Sequence, residues 1–275
     1  LAPETRFQFR LRAFKNGACI PAGDTANISP LIGSNSIIQN LTISSRRYAT
    51  SIAEQILNYN QLVSVAHPAL SSCRDYATQR SHEQMSVGKG ILNASELNQT
   101  EQNMESNWVN TSDLQRKYIA CGSATPSDNV GWDCSVPLYC GMFMSENLDL
   151  RLLGGMELEI TLAPDVNVFD GADSTYTYQI DECILNAPLL YKSAQQIAMG
   201  VGPTSFSFLS FTSLYNVAQS TNATITNKVG LRGALSMVQK FVPVNYINNP
   251  GLNANAFASW NPGVQRLTYH RNGQR

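Results

Sequence analysis

The sequence predicts an all-β sandwich, on three observations. Two runs alternate strictly between apolar and polar residues, a period that a strand turns into one buried and one exposed face. The composition is 43% hydrophobic but only 14% charged, against about 25% charged in an average domain. Asn, Ser, Thr, Gln and Gly make up the difference, as in proteins with many turns or with surfaces that other subunits cover. Strand-like segments fall into two groups separated by a break, which suggests two similar modules.

The first alternating run is Arg6 to Arg12. Phe7, Phe9 and Leu11 fall on one face; Arg6, Gln8, Arg10 and Arg12 fall on the other. The three arginines form a basic outer stripe, suited to solvent or to an acidic or phosphate partner. Ser34 to Ser44 reads as a second strand, with Ile37, Ile38, Leu41 and Ile43 as its apolar side chains. From Tyr48 to Val63 the period lengthens. Tyr48, Ile52, Ile56, Tyr59 and Val63 recur every three or four residues, which predicts a short amphipathic helix. His67-Pro68 should end it, and a weaker helix is expected over Ala69 to Arg80.

Residues 81–135 are polar, with few strong apolar runs, and read as a long insertion with short strands; such insertions usually carry function or contacts. Val136 to Phe143 is compact and apolar. The second alternating run, Gly155 to Ala163, predicts the strongest strand. Met156, Leu158, Ile160 and Leu162 lie on one side, and Glu157, Glu159 and Thr161 on the other. The expected core therefore includes Phe7, Phe9, Leu11, Leu158, Ile160 and Leu162. Asp165 to Ser174 reads as a turn-rich link. Strand-like runs follow at Tyr176 to Tyr191 and Phe206 to Phe211, and Asn248 to Gly263 reads as irregular loop.

The function classes that the residues disfavour are several. Lys plus Arg number 19 and Asp plus Glu number 20, for a formal charge of -1, so the whole chain gives no support for sequence-specific nucleic-acid binding. No stretch approaches the roughly 18 apolar residues of a membrane span. The sequence opens Leu1-Ala2-Pro3-Glu4, with no initiator Met and no apolar signal core; the expectation is a removed start or a piece of a longer polypeptide. No nucleophile-elbow or phosphate-loop motif is present. His67, His82 and His270 are far apart in sequence, without metal-ligand spacing.

The six cysteines (Cys19, Cys73, Cys121, Cys134, Cys140 and Cys183) form no C-x-x-C pair and read chiefly as reduced and buried. Cys134 and Cys140 could close a small loop disulfide or supply two metal ligands; Cys140 with His67 or His82 could form a nucleophile and base. Glu157 and Glu159, at i and i+2, could serve as acid and base, or form an outward polar row. The favoured reading in each case is structural. No catalytic residue, cofactor site or metal site is assigned, and an enzyme is not expected. Phe7, Phe9, Phe206, Phe208 and Phe211 have strand spacing and read as core rather than as a base-stacking platform. Six Asn-x-Ser/Thr sites, at Asn27, Asn40, Asn93, Asn98, Asn110 and Asn222, are weak signals of secretion in so Asn- and Thr-rich a chain.

Three segments in order resemble one family. They are Gly33 to Ile43 (GSNSIIQNLTI); Ile52 to Asn60, which ends Leu57-Asn58-Tyr59-Asn60 and is similar to a family helix; and Leu148 to Leu162, containing Leu152-Leu153-Gly154-Gly155 before the alternating strand. Their order and spacing resemble the double jelly-roll major capsid proteins of virophages and of polinton-like and adintovirus-like elements. The resemblance is clearest over residues 30–165. It implies two eight-stranded jelly rolls side by side, assembled as pseudo-hexagonal trimers. Two full jelly rolls of this type need a considerably longer chain, so the second is expected to be incomplete here, to continue beyond, or to be smaller.

The resulting expectation is a first jelly roll over 1–170, with the insertion around 81–135, and the start of a second over 171–275. Its role would be that of a structural viral capsid subunit in an icosahedral shell. The partners would be two further copies in a homotrimer, neighbouring capsomers, and minor capsid or penton proteins. Its place would be the virion, assembled inside the host cell. The alternatives are a penton or minor capsid protein, and a secreted glycan-binding β-sandwich.

Overall fold

The computed structural model describes residues 5–19, 27–28, 32–46, 52–70, 83, 131–144, 150, 154–170, 175–189, 193, 195, 207–217, 238–242 and 266. They form mainly antiparallel β-structure with few helices. In chain order the strands are β1 (Arg6–Lys15), β2 (Ala18–Cys19), β3 (Asn27–Ile28), β4 (Ile38–Ser45), β5 (Ile52–Ile56), β6 (Trp132–Pro137), β7 (Met156–Leu162), β8 (Phe169–Asp170) and β9 (Tyr176–Asn186). The helices are α1 (Tyr59–Leu70), α2 (Gly141–Met144) and α3 (Asp165–Val168), with a 3-10 turn at Gly33–Ile37.

The first sheet is built around β1, which alternates as its sequence predicts, with Phe7, Phe9, Leu11 and Ala13 buried. Along one edge β1 pairs with β6 over Arg6 to Leu11 and with β2 over Phe14 and Lys15. The β1–β2 turn is Asn16-Gly17, both with positive φ (53° and 75°), the pairing a two-residue hairpin turn requires. Along the other edge β9 pairs with β1 from Tyr176 to Asn186. The link expected over Asp165 to Ser174 in fact holds α3 and β8, and β8 pairs with β3. The strand that follows the expected 170/171 boundary is thus a member of the first sheet.

The second sheet has the order β5-β4-β7, all antiparallel. Leu41 and Ile43 of β4, both buried, sit opposite Ile160 and Leu158 of β7. The inner faces of the two sheets share one core, in which Phe7, Phe9 and Leu11 join Ile38, Leu41, Ile43, Ile56, Tyr59 and Val63. The result is sandwich-like.

Several sequence expectations need correction. The helix expected over Tyr48 to Val63 is a strand at Ile52–Ile56, followed by a helix that begins only at Tyr59. The apolar positions Ile56, Tyr59 and Val63 are buried as their spacing requires, but Glu54 is buried beside them and Ile52 is exposed. A buried carboxylate on β5 is what apolar periodicity could not show. Asn58, at φ 53°, breaks the strand. Its carbonyl accepts from the N–H groups of Gln61 and Leu62 and so opens α1. His67-Pro68 does not end the helix; in the last turn a proline removes a single donor, and α1 closes at Leu70. The weaker helix expected over Ala69 to Arg80 lies outside the described residues apart from the end of α1.

The expected strand Ser34 to Ser44 begins as the 3-10 turn and becomes extended only at Ile38. Ser207–Phe211 has neither helix nor strand, although Phe208 and Phe211 pack against the core. The polar insertion ends earlier than residue 135, because Trp132–Pro137 is β6. Finally, Leu158 and Ile160 are half-buried and Leu162 is 39% exposed. Their side of β7 is the apolar one, but β7 is the outer strand of its sheet, and among the described residues no element caps Leu162.

These burials set the expected cost of truncation. Ile43→Ala, from a fully buried site, should lose about 2–5 kcal/mol through lost transfer energy and the cavity left behind. Leu162→Ala should lose less than about 1 kcal/mol. Equilibrium urea unfolding of the two variants measures the difference.

Candidate assembly surface

The outer face of β1 is charged but already matched. Arg6 Nη2 lies 3.4 Å from the buried Glu83 Oε1, and Arg6 also donates to the Ser135 hydroxyl and carbonyl. Arg10 donates to Asp133 Oδ1 at 2.8 Å and to Glu182 Oε1 at 3.0 Å. Arg12 Nε lies 2.9 Å from Asp181 Oδ2. The basic stripe read from the sequence therefore meets carboxylates of its own chain rather than a phosphate partner.

A β-bulge makes this pairing possible. Between Gln8 and Arg10 of β1, β9 passes from Ile184 to Asp181, three residues against two. Glu182, in the bulge, has φ 53°. The extra residue lets the adjacent acids Asp181 and Glu182 reach the same outer face, where Arg12 and Arg10 stand. It also resets the alternation, so that Cys183 and Leu185 share the inner side with Ile180. A strand without a bulge would alternate them outward.

That inner side is open. Leu158, Ile160 and Leu162 of β7 face Ile180, Cys183 and Leu185 of β9 across a groove of about 380 Å³ floored by Phe7. The groove lies between the outer strands of the two sheets, and none of its lining residues is charged. Nearby on the chain, Ile184 and Leu189 are exposed. A second apolar surface is formed by Leu209, Leu214, Tyr215 and Val217, which are 67%, 53%, 61% and 47% exposed.

The segment bearing them is anchored by Glu54. Its Oε2 accepts from Met142 N–H at 3.0 Å. Its Oε1 accepts from Gly141 N–H at 2.9 Å, from the Ser210 hydroxyl at 3.1 Å and from Phe211 N–H at 3.4 Å. The same carboxylate thus holds the start of α2 and residues 210–211. Gly141 permits the approach, since a Cβ there would run into the Leu209 carbonyl.

Residues 238–242 are tied to α1 through Lys240, whose Nζ donates to Gln61 Oε1 at 2.8 Å and to Ser64 Oγ at 2.6 Å. Burial pushes the Lys240 ammonium down to about 7.

The candidate chemistry read from the sequence is not brought together among the described residues. Glu157 and Glu159 project outward and exposed on β7, opposite Ser44 and Thr42. Cys134 and Cys140 are both buried and are not joined in a loop disulfide. Burial, and then the Glu54 charge, pushes the Cys140 thiol well up, which disfavours the thiolate that nucleophilic attack needs. His67 lies on α1, while His82 and His270 lie outside the described residues. Among the described residues no three His, Cys, Asp or Glu side chains cluster as metal ligands. No described helix is long and apolar enough to cross a membrane.

Phe7 and Phe9 are core residues, with ring centroids 5.1 Å apart. Of the glycosylation motifs, Asn40 is half-buried on β4 and its Oδ1 accepts from Asn58 N–H, so that side chain is engaged. Asn27 lies on β3; Asn93, Asn98, Asn110 and Asn222 lie outside the described residues. Sequence periodicity did not reveal Glu54, Glu83 or Lys240, because each is a charged residue held by partners distant in sequence. No protein-family model, curated protein or solved structure matches this chain.

Two measurements test this network. Glu54→Gln replaces one acceptor oxygen with an amide that cannot accept, and should cost about 2 kcal/mol or more, since each buried donor left unpaired costs about 1–3 kcal/mol. Urea unfolding measures it. For Lys240, the folded value lies below its ordinary 10.5, so the unfolded chain binds more protons between about pH 7 and 10.5. Stability should therefore rise with pH above about 7, and Lys240→Met should flatten that rise in urea midpoints taken from pH 6.5 to 9.5.

Proposed function

We propose that the chain is a structural subunit of an icosahedral viral capsid, a major capsid protein of the double jelly-roll kind that assembles as a trimer. The observation that carries this reading is the combination of a sandwich-like β-fold with two uncharged apolar surfaces, the β7–β9 groove and the exposed side of 207–217. A solitary domain gains nothing from leaving them in water, and such surfaces mark sites of association.

The family-like segments add support of uneven weight. Gly33 to Ile43 and Leu148 to Leu162 lie more than a hundred residues apart in sequence, yet β4, which begins in the first, and β7, which lies in the second, are paired neighbours. The segment Ile52 to Asn60 is mostly strand rather than helix and lends no such support. With β9 in the first sheet, the second jelly roll of this reading begins after Asn186 rather than at residue 171. The secreted glycan-binding alternative is disfavoured at one motif by the engagement of Asn40, whose Oδ1 accepts from Asn58 N–H.

The expected outcome is a particle of three times the 30.1 kDa chain mass in sedimentation equilibrium, and hexagonal capsomers by electron microscopy at high concentration. A monodisperse monomer under those conditions would rule the reading out.

A further inference from the structure

We propose that the trimer contact is head-to-tail: the exposed apolar side of residues 207–217 of one copy docks in the β7–β9 groove of the next. This rests on the trimeric reading above and names its interface. A closed three-fold ring needs two different patches on each subunit, one to offer and one to receive, and the described residues include one of each.

The offered patch is built to project. Phe208 and Phe211 turn inward against the core, and Glu54 fixes Ser210 and Phe211 through the hydroxyl and the backbone N–H. Leu209, Leu214, Tyr215 and Val217 are thereby left outward. They stay exposed in their own copy, so they do not fill their own groove.

The receiving patch has matching electrostatics. Residues 207–217 (SFLSFTSLYNV) contain no charged side chain, and neither does the groove lining. The acids of its β9 wall, Asp181 and Glu182, are turned to the other face and paired with Arg12 and Arg10, and those of its β7 wall, Glu157 and Glu159, alternate to the opposite side from Leu158 and Ile160. A charged or phosphorylated partner would find no counter-ion in the groove, whereas an uncharged apolar segment loses nothing by desolvation. The second copy is the occupant whose chemistry is on hand.

The test uses the full chain in sedimentation equilibrium. One variant, L214D/Y215D, alters only exposed positions of the offered patch; another, L185D, alters a 40% exposed position of the groove. Each should weaken association at least ~30-fold, the loss of a central interface contact. Mixed together, they should form one-to-one pairs that stop there, because each brings one intact patch. If the unaltered chain is trimeric and L214D/Y215D remains trimeric, the head-to-tail contact is wrong while the capsid reading stands. If the unaltered chain is monomeric throughout, the trimeric reading itself fails. Unchanged urea midpoints show that the variants fold; should L185D not fold, Leu162→Lys replaces it. Hydrogen exchange of the unaltered trimer gives a readout without substitution: protection is expected on both 156–162 and 207–217, and protection confined to other segments overturns the proposal.

Discussion

The structure depends on β1 having both edges paired and both faces satisfied. On the outer face of β1, Arg10 and Arg12 stand about 7 Å apart and Arg6 about 13 Å from Arg10, a row of like charges that calls for counter-charges. Carboxylates reach them from three separate parts of the chain: Asp133 on β6, Asp181 and Glu182 on β9, and Glu83 from the polar segment. The exposed pairs contribute little energy individually. Their value is geometric, since each is satisfied only in the observed register of β6 and β9. The inner face works by the opposite rule, with Phe7, Phe9, Leu11 and Ala13 specifying burial without direction.

Buried polar groups supply the direction that the apolar core lacks. Tyr59 is fully buried, donates to the Pro137 carbonyl and accepts from Tyr139 N–H, so the first residue of α1 is keyed to the end of β6. Tyr178 donates its hydroxyl to the Ala163 carbonyl, while its N–H donates to Asp165; β9 is keyed in this way to α3. Glu54 does the same for α2 and 210–211. Each joins segments remote in sequence, and each would leave unpaired buried groups in a shifted arrangement.

The parts legible in the sequence were those governed by local period. Strands β1, β7 and β9 show in their residues because alternation needs no knowledge of the partner, and Val136 to Phe143 shows as an apolar run that is indeed buried. The Asn16-Gly17 hairpin signal is equally local and was there to be used. The rest depends on tertiary partners. β5 mimics a helical period because its inward residues are Glu54 and Ile56 rather than an apolar alternation. Glu83 sits in a polar stretch that reads as solvated insertion, yet its carbonyl accepts from the Ser34 N–H and hydroxyl. The groove was invisible for a further reason: its β9 side depends on a bulge, and nothing in the run Ile180-Asp181-Glu182-Cys183 marks where an extra residue is inserted.

That bulge gives β9 a phase as well as a position. Upstream of it, residues at even numbers (Tyr176, Tyr178, Ile180) face the core; beyond it, odd numbers (Cys183, Leu185) do so. A single-residue deletion at Glu182 would therefore act unlike a substitution at the same site. It would leave Tyr176 to Ile180 undisturbed and make the strand regular, with Cys183 opposite Phe9 and Cys183 and Leu185 still facing inward, whereas a deletion at any other position between the bulge and Asn186 would turn the residues beyond it over. In evolutionary terms, the bulge is the one place where this strand can lose a residue and keep its apolar side chains inward on both sides.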